Sequence, residues 1–349
     1  MNTLISPPRP IVSNDAERRS GPRRLPGDAA RDGAASPAAA VVIPAFNAEK
    51  FLRETMESVF VQTLSNIEVI VVDDGSTDST HAILETFSDP RMTVLRQENR
   101  GVSAARNAGL ALARAPHVFF LDADDILLPN ALHRMVRTLE QNPHCVAAFA
   151  HHVRITERGE EIASRSYLRW KVFPAADTLR HLAAKNFISG AICVRTEIAR
   201  SIGGFNTALK LGEDWEFWCR LAALGDFAPM PTDVVLLYRQ RFGSANFRWR
   251  RSPLHPNFRA IEAVYSNPTI QERFPPSELR RRRRLAEIDA FWTGARNEYV
   301  QGRMLKFLAY MVVGTLRYPD SILRPRLVYL FLRGLRQQIV PQTDAPTNL

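Results

Sequence analysis

Cysteine is scarce in this chain. The 349 residues include three cysteines, Cys145, Cys193 and Cys219, which are far apart and odd in number. That usage indicates neither a disulfide framework nor a zinc site, and it fits a reducing compartment. We therefore expect a cytoplasmic protein.

Segments that would target the chain or cross a membrane are also missing. Residues 1–38 are rich in Pro, Ala, Arg and Gly and lack the apolar core of a secretory signal, and their four acidic residues argue against a transit peptide. We predict that they form a disordered leader. The apolar stretch Phe307–Leu316 is ten residues long, which is too short to span a bilayer.

The common glycine-rich phosphate-binding motifs do not occur. No G-x-G-x-x-G follows the first predicted strand, which argues against a dinucleotide-binding fold, and the lack of G-x-x-x-x-G-K-[ST] excludes a P-loop enzyme. A phosphate group bound by this chain would need another source of positive charge.

Basic charge is confined to the C-terminal part. Residues 241–349 contain 19 Lys and Arg against 8 Asp and Glu, a net charge of +11, so the first 240 residues sum to about −1. The run Arg280–Arg284 is ordinarily a solvated face. In SILRPRLVYLFLRGL, arginines alternate with apolar residues, a basic amphipathic pattern that suits an anionic membrane surface. No recognition motif accompanies the charge, so we expect no nucleic-acid partner.

Strand and helix patterns alternate regularly between Ala39 and Leu139. Each buried-strand pattern is followed by a segment with helical spacing, and the strands are AAVVIP, EVIVVDD, MTVLRQ and HVFFLDADD. Asn47 and Ser103 are the predicted N-caps of the first and third helices. This alternation predicts an open, doubly wound α/β sheet.

Chemically notable side chains cluster where these strands end, which is where open α/β sheets bind ligands. They are Phe46 and Asn47, Asp73 and Asp74, Arg106, and the acids Asp122, Asp124 and Asp125. The spacing Asp122-x-Asp124 suits Mg²⁺ or Mn²⁺, which takes one or two carboxylates and leaves its other positions to water and phosphates. Asp73 and Asp74 would accept hydrogen bonds from a base or ribose. A surface turn is the alternative for the acids, but their shared location favours a nucleoside diphosphate held through a metal.

Four blocks resemble those of family 2 glycosyltransferases, which have the GT-A fold. The blocks are VVIPAFNAEKFLRETMESVFVQT, VIVVDDGSTDST, ENRGVSAARNAGLALA and FFLDADDILLPNAL, and the similarity resumes over residues 186–225. The resemblance implies an α/β, Rossmann-like open mixed sheet flanked by helices over residues 39–240. We expect residues 241–349 to form a basic, mainly helical extension.

The resemblance also implies roles for individual residues. The nucleotide-binding set is Pro44, Phe46, Asn47, Asp74, Arg106 and Asp122. Asp124 matches the acid that contacts Mn²⁺ or Mg²⁺, with Asp122 as an alternative ligand and Asp125 as a weaker candidate. The base-contacting positions favour a UDP-sugar, although GDP and dTDP donors occur in the same family.

A second acidic pair opens a later predicted helix, GEDWEFWCRLAALG. Its spacing gives one buried face, formed by Trp215, Trp218, Leu221 and Ala222, and Gly225 ends it. Glu213 and Asp214 then lie in the first turn, where acids are favoured by the helix dipole alone. The resemblance implies more: Asp214 is the catalytic base, kept ionised by the helix N-terminus, and Glu213 orients the loop or the acceptor. Upstream, Thr196 is the predicted cap of a short helix that Gly203-Gly204 ends.

These expectations combine into an inverting glycosyltransferase. The acceptor would be a saccharide or lipid-linked saccharide in surface polysaccharide biosynthesis, and the protein would be cytoplasmic or peripheral on the inner face of the plasma membrane. Two alternatives stay open. A receiver-like phosphoacceptor module would use Asp73-Asp74, Asp122 and Lys171, but a full strand and helix precede the acid pair. A non-catalytic sugar-nucleotide binder would share the same residues.

Overall fold

The structure is a computed structural model, and it describes residues 36–162, 174–188, 190–241 and 258–319. The predicted leader lies almost wholly outside these residues. The segment SILRPRLVYLFLRGL and Lys171 also lie outside them.

The described residues form one eight-stranded mixed sheet in the order β3-β2-β1-β4-β7-β6-β8-β5. Strands β3, β2, β1 and β4 run parallel, whereas β7 is antiparallel to both β4 and β6. β8 runs parallel to β6 and pairs antiparallel with the short β5. The strands are β1 Ala39–Ala45, β2 Ile67–Asp73, β3 Met92–Arg96, β4 His117–Phe120, β5 Ile126–Leu127, β6 Cys145–Ile155, β7 Ile192–Arg195 and β8 Asp226–Arg239.

Helices cover both faces of this sheet. They are α1 Leu52–Phe60, α2 Thr80–Glu85, α3 Val102–Leu112, α4 Ala131–Gln141, α5 Thr178–Ala184, α6 Thr196–Ser201, α7 Glu213–Leu224, α8 Phe258–Ser266, α9 Pro268–Glu272, α10 Pro276–Val300 and α11 Met304–Arg317. Because side chains alternate along a strand, β1 contributes Val42 to the core under α3 and α7, and Val41 to the core under α1 and α4. This confirms the predicted α/β architecture.

Proline determines where β1 and β4 separate. The last bond of their ladder runs from the Leu121 N–H to the Val42 carbonyl at 3.0 Å. The next position of β1 that faces β4 is Pro44, which has no N–H to donate. β4 therefore ends at Phe120, and the acids that follow form a turn closed by the Asp125 N–H on the Asp122 carbonyl at 3.1 Å.

The predicted helix caps are wrong at three positions. α1 begins at Leu52, five residues after Asn47, and Asn47 instead has a left-handed backbone with φ 49°. Ser103 is buried inside α3, whose N-cap is Gly101. Thr196 is the first residue of α6, and its hydroxyl donates to the Ala115 carbonyl at 2.7 Å. In each case a tertiary contact or a glycine replaces the local cap that the sequence suggested.

The described part of the C-terminal extension is helical, as expected. α8 places Ile261 and Val264 in the same core as α7, and Tyr265 donates to the Ala183 carbonyl at 2.5 Å. α10 and α11 enclose a separate apolar cluster around Phe291 and Phe307. The domain boundary at residue 240 stays a prediction, since residues 242–257 lie outside the described part. Within the described residues, no helix combines the length and hydrophobicity needed to span a membrane.

Candidate functional site

The site begins at the carboxyl end of β2, where the carboxylate of Asp74 holds a neighbouring loop. Asp74 is 2% exposed, and it accepts hydrogen bonds from the Gln97 side chain at 2.7 Å and from the N–H groups of Arg100 and Gly101 at 2.9 and 2.8 Å. Since Gly101 is the N-cap of α3, Asp74 connects the end of β2 to that helix. Its predicted contact with a base stays a prediction.

The other residues at the ends of β1 and β2 are two side chains that shape a turn and one exposed ring. Asp73 accepts the Ser76 N–H at 2.9 Å, and the Asn47 side chain accepts the Thr77 N–H at 2.8 Å, so both shape the turn after β2. Phe46 is 49% exposed. A large apolar ring held at the surface beside this turn is available to stack on a flat ligand.

Glycine lets α3 approach the central strand closely. A Cβ atom on Gly109 would lie 2.3 Å from Cγ1 of Val42, which is fully buried in β1. No side chain fits there without a shift of one element. The contact therefore determines the position of α3, and with it the position of Arg106 one turn earlier.

Arg106 joins the two acidic segments of the chain. Its Nη2 donates to Oδ1 of Asp122 at 2.7 Å, its Nη1 donates to Oε1 of Glu213 at 3.2 Å, and the guanidinium lies 5.1 Å from the ring centroid of Phe205. Burial works against the charged form, but the attraction of Asp122 and Glu213 outweighs it and raises the pKa of Arg106 above its ordinary value. Residues that lie about a hundred positions apart are thus brought to one cation.

Asp214 lies beside this cation in the first turn of α7, as predicted. Its Oδ1 accepts the Trp215 N–H at 2.7 Å, and its Oδ2 accepts from the side chain of Asn186 at 3.3 Å. Burial and then the charge of Glu213 raise the pKa of Asp214 to about 7, while Arg106 opposes that rise. Burial therefore opposes the helix N-terminus that was expected to keep this carboxylate ionised, and its role as a base stays a prediction.

The acids after β4 have separate surroundings. Asp122 has a side chain that is 45% exposed, whereas the side chain of Asp124 is 15% exposed and lies in an ion pair with Arg241, Nε to Oδ2 2.5 Å. Asp125 is 3% exposed and accepts the Arg239 N–H at 2.8 Å, which gives it a supporting role at the end of β8. Asp122 and Asp124 are the two acids of this turn that face the site.

The charges of the acid turn and of the start of α7 act on one another. Burial raises the pKa of Tyr238, and the negative charges of Asp125, Asp122, Asp124 and Asp214 add to that rise. The charge of Asp122 likewise raises the pKa of Asp214. Because Arg106 pairs with both Asp122 and Glu213, the acid turn and the start of α7 lie at one site.

A divalent cation fits the chemistry of Asp122 and Asp124, although not as a cage built from protein alone. Among the residues that the structure describes, no group of three or more His, Cys, Asp or Glu could hold a metal. Burial and the charge of Asp122 raise the pKa of Asp124 to about 6, so the ionised pair needs positive charge at this position. Mg²⁺ or Mn²⁺ meets that need when water and phosphate oxygens complete its shell.

Sequence patterns did not identify four residues at this site. Asn186, Tyr238, Arg239 and Arg241 all contact or influence the acids. Asn186 begins the stretch of similarity over residues 186–225, but its amide was not singled out there, and the other three residues lie outside that stretch. Asn186 is 28 residues from Asp214, and Arg239 is 114 residues from Asp125. The sequence signal that could have pointed to this part of the site is the pair Arg239 and Arg241, which lies at the end of the strand pattern of β8.

The structure combines an open mixed α/β sheet, acidic residues at the ends of its strands and a second acidic pair at the start of α7. These are the features that the resemblance to GT-A glycosyltransferases predicted. Residues 40–203 match the family described as glycosyl transferase family 2. Residues 40–203 therefore belong to this family, as the sequence blocks predicted. Family membership, together with β1 and α1 ahead of the first acid pair, argues against the receiver alternative.

Two relatives illustrate the match. The chain is 30% identical over 201 residues to an uncharacterized glycosyltransferase of Haemophilus influenzae, which covers 57% of this chain and 66% of that protein. It is 39% identical over 105 residues to the putative glycosyltransferase EpsH of Bacillus subtilis, and this match covers 30% of this chain and 30% of that protein. The matched segments thus span less than two thirds of either relative.

The fold is similar to a solved structure, that of S. aureus TarS 1-349 in complex with UDP-GlcNAc. The TM-score is 0.60 at 18% identity, and the likeness covers 85% of this chain and 88% of that chain. A likeness at this identity concerns the fold alone, and it confirms the predicted GT-A architecture.

Proposed function

We propose that this chain transfers a sugar from a nucleoside-diphosphate sugar to a hydroxyl acceptor, with inversion at the sugar carbon. The observation that supports this most directly is the bridge from Asp122 through Arg106 to Glu213. It brings acids suited to a diphosphate and its metal next to Asp214, which is suited to accept a proton.

Asp214 is the proposed base. In the transfer, the acceptor oxygen forms a bond to the sugar carbon, the bond from that carbon to the diphosphate oxygen breaks, and the acceptor proton goes to a carboxylate oxygen of Asp214. A pKa of about 7 is close to the optimum for a base that works near neutral pH. The bond from Asn186 fixes the orientation of that carboxylate. Glu213 pairs with Arg106, and its predicted role in orienting the loop or the acceptor stays a prediction.

The nucleoside diphosphate would lie along the strand ends. Phe46 offers an exposed ring to the base, and Pro44, Asn47 and Asp74 build the floor beside it. Asp124, with Asp122, would hold Mn²⁺ or Mg²⁺, and such an ion supplies positive charge to the leaving diphosphate. Arg106 is buried against Asp122 and Glu213 and supports these acids, and its predicted contact with the nucleotide stays a prediction.

The donor is proposed to be a UDP-sugar. The TarS structure holds UDP-GlcNAc within a similar fold, and the base-contacting positions resemble those of UDP-dependent family members. A saccharide or lipid-linked saccharide of surface polysaccharide biosynthesis is the proposed acceptor.

A panel of nucleotide sugars tests the function. The full chain is incubated with UDP-, GDP- and dTDP-sugars, with Mn²⁺ or with EDTA, and thermal stabilisation and release of the nucleoside diphosphate are measured. We expect at least one donor to stabilise the protein and to be hydrolysed slowly, both in a metal-dependent way. Stabilisation without hydrolysis or transfer would instead identify a non-catalytic binder, and no stabilisation by any donor would contradict the proposal.

We also propose that the C-terminal helices lie against an anionic membrane on the cytoplasmic side. Three apolar residues of α11 lie on one helical stripe and are strongly exposed: Leu305 at 80%, Val312 at 62% and Leu316 at 79%. Lys306 and Arg317 are exposed beside that stripe. Exposed apolar residues with adjacent basic ones suit an anionic lipid surface, which would hold the site near a lipid-linked acceptor.

Vesicle sedimentation tests this second proposal. At low salt the full chain should sediment with anionic vesicles and not with neutral ones, and the double variant Leu305→Ser, Leu316→Ser should sediment less. Equal recovery of the wild type in the supernatant of both vesicle types would rule out the membrane contact.

A further inference from the structure

Two arginines at the end of β8 contact the acid turn in different ways. Arg239 has a side chain that is 2% exposed, and its guanidinium donates to the carbonyls of Asp124 and Glu157 and pairs with Glu54. Arg241 is 35% exposed, and it pairs with the Asp124 carboxylate while lying 5.7 Å from the ring centroid of Phe51. Arg239 is therefore held by several contacts, whereas Arg241 is the more exposed of the two and pairs with the Asp124 carboxylate.

Each acid that faces the site already has an arginine partner. Arg106 pairs with Asp122 at 2.7 Å, and Arg241 pairs with Asp124 at 2.5 Å. A divalent cation that binds Asp124 therefore competes with the Arg241 guanidinium for the charge of the same carboxylate. The displaced guanidinium then needs another anion, and a diphosphate provides one, because the planar fork of arginine binds phosphate oxygens well.

We propose that Arg241 competes with the divalent cation for the Asp124 carboxylate and moves to the donor diphosphate when nucleotide and cation bind together. The inference rests on the proposed function, because it takes a nucleoside diphosphate as the ligand. This competition makes the cation bind weakly when no nucleotide is present, since the displaced arginine then has no anionic partner. Nucleotide supplies that partner, so each ligand strengthens binding of the other.

The first measurement uses the full chain and MnCl₂ alone, with free Mn²⁺ followed by electron paramagnetic resonance. Arg241→Ala should bind Mn²⁺ at least about fivefold more tightly than the wild type, the lower end of typical coupling between ligands. Arg241→Lys keeps the charge and should stay near the wild-type affinity. The matched control Arg137→Ala removes an exposed arginine on α4 and should change nothing.

The second measurement is UDP binding at saturating Mn²⁺, the condition in which the guanidinium is proposed to have left Asp124, followed by calorimetry. Here Arg241→Ala should bind at least about fivefold more weakly, because the guanidinium partner of the diphosphate is lost. Opposite signs in the two measurements separate this role from a merely structural one, which would weaken both. Wild type that binds UDP with Mn²⁺, combined with unchanged or weaker Mn²⁺ binding by Arg241→Ala, overturns the inference alone. Failure of the wild type to bind UDP or GDP even with Mn²⁺ overturns the proposed function and the inference with it.

Discussion

Arg106 donates to Glu213 at 3.2 Å although the two residues are 107 positions apart in the chain. The same guanidinium donates to Asp122, so one buried cation holds the acid turn after β4 against the first turn of α7. Removing it would leave Asp122 and the largely buried Glu213 without their shared counter-charge.

Arg106→Met should therefore reduce both stability and activity. Breaking a buried ion pair from one side costs about 3 kcal/mol or more, which chemical denaturation would measure. Because Arg106 holds down the pKa of Asp214, the surviving activity should need a higher pH than that of the wild type. Arg106→Lys keeps the charge, so its stability and activity should lie between those of the wild type and Arg106→Met. An unchanged pH profile in Arg106→Met would show that the guanidinium does not act on Asp214.

The wild-type enzyme should lose activity as the pH falls through about 7. A base must be deprotonated to accept the acceptor proton, and burial together with Glu213 raises the pKa of Asp214 to about 7. Below that value kcat/KM should fall about tenfold per pH unit. The measurement is the transfer rate from pH 5 to pH 9, and a rate that stays level down to pH 5 would exclude Asp214 as the base.

Asp214→Asn should abolish transfer and spare donor binding. Asparagine keeps the shape of the side chain but cannot take the proton, and loss of a general base typically costs about 10²- to 10⁴-fold in rate. Metal-dependent nucleotide binding should remain close to that of the wild type. Glu197→Gln on α6 is a matched control at an exposed acid, and near wild-type turnover by Asp214→Asn would contradict the assignment.

Asp124→Ala should weaken both nucleotide binding and transfer, and the remaining binding should no longer respond to Mn²⁺. The physical reason is that the turn offers only Asp122 and Asp124 toward the site. The neighbouring variant Asp125→Asn tests specificity, because Asp125 supports the Arg239 N–H instead. Calorimetry with and without EDTA measures the difference, and equal metal responses in wild type and Asp124→Ala would remove Asp124 from the metal site.

Gly109→Ala should destabilise the fold even though alanine is the better helix former by about 1 kcal/mol. The new methyl would meet Val42 at 2.3 Å, and overfilling a well-packed core costs about 1–3 kcal/mol. In a Val42→Ala background the same change should cost far less. Unfolding free energies of the two single variants and the double variant give the coupling, and its absence would mean that α3 shifts freely on β1.

The strands around the site could be predicted because their signal is local. The apolar runs of β1, β2 and β4 and the acids at their ends are contiguous in the chain, and so is the buried face of α7 that includes Trp215 and Trp218. The helix caps failed for the opposite reason. Asn47 lies near Thr77 and Thr196 lies near Ala115 only after the chain has folded, and those contacts replaced the local capping bonds.

The sequence by itself determined the order of strands and helices, the family, and the identity of the acids that follow the parallel strands, because each depends on residues close together in the chain. Only the tertiary structure decided which charges meet. Arg106 between Asp122 and Glu213, Asn186 on Asp214, and Arg241 on Asp124 are pairings over long separations. Burial then set the proton affinity of Asp214, and no local pattern could have revealed a property that arises from excluded water and neighbouring charge.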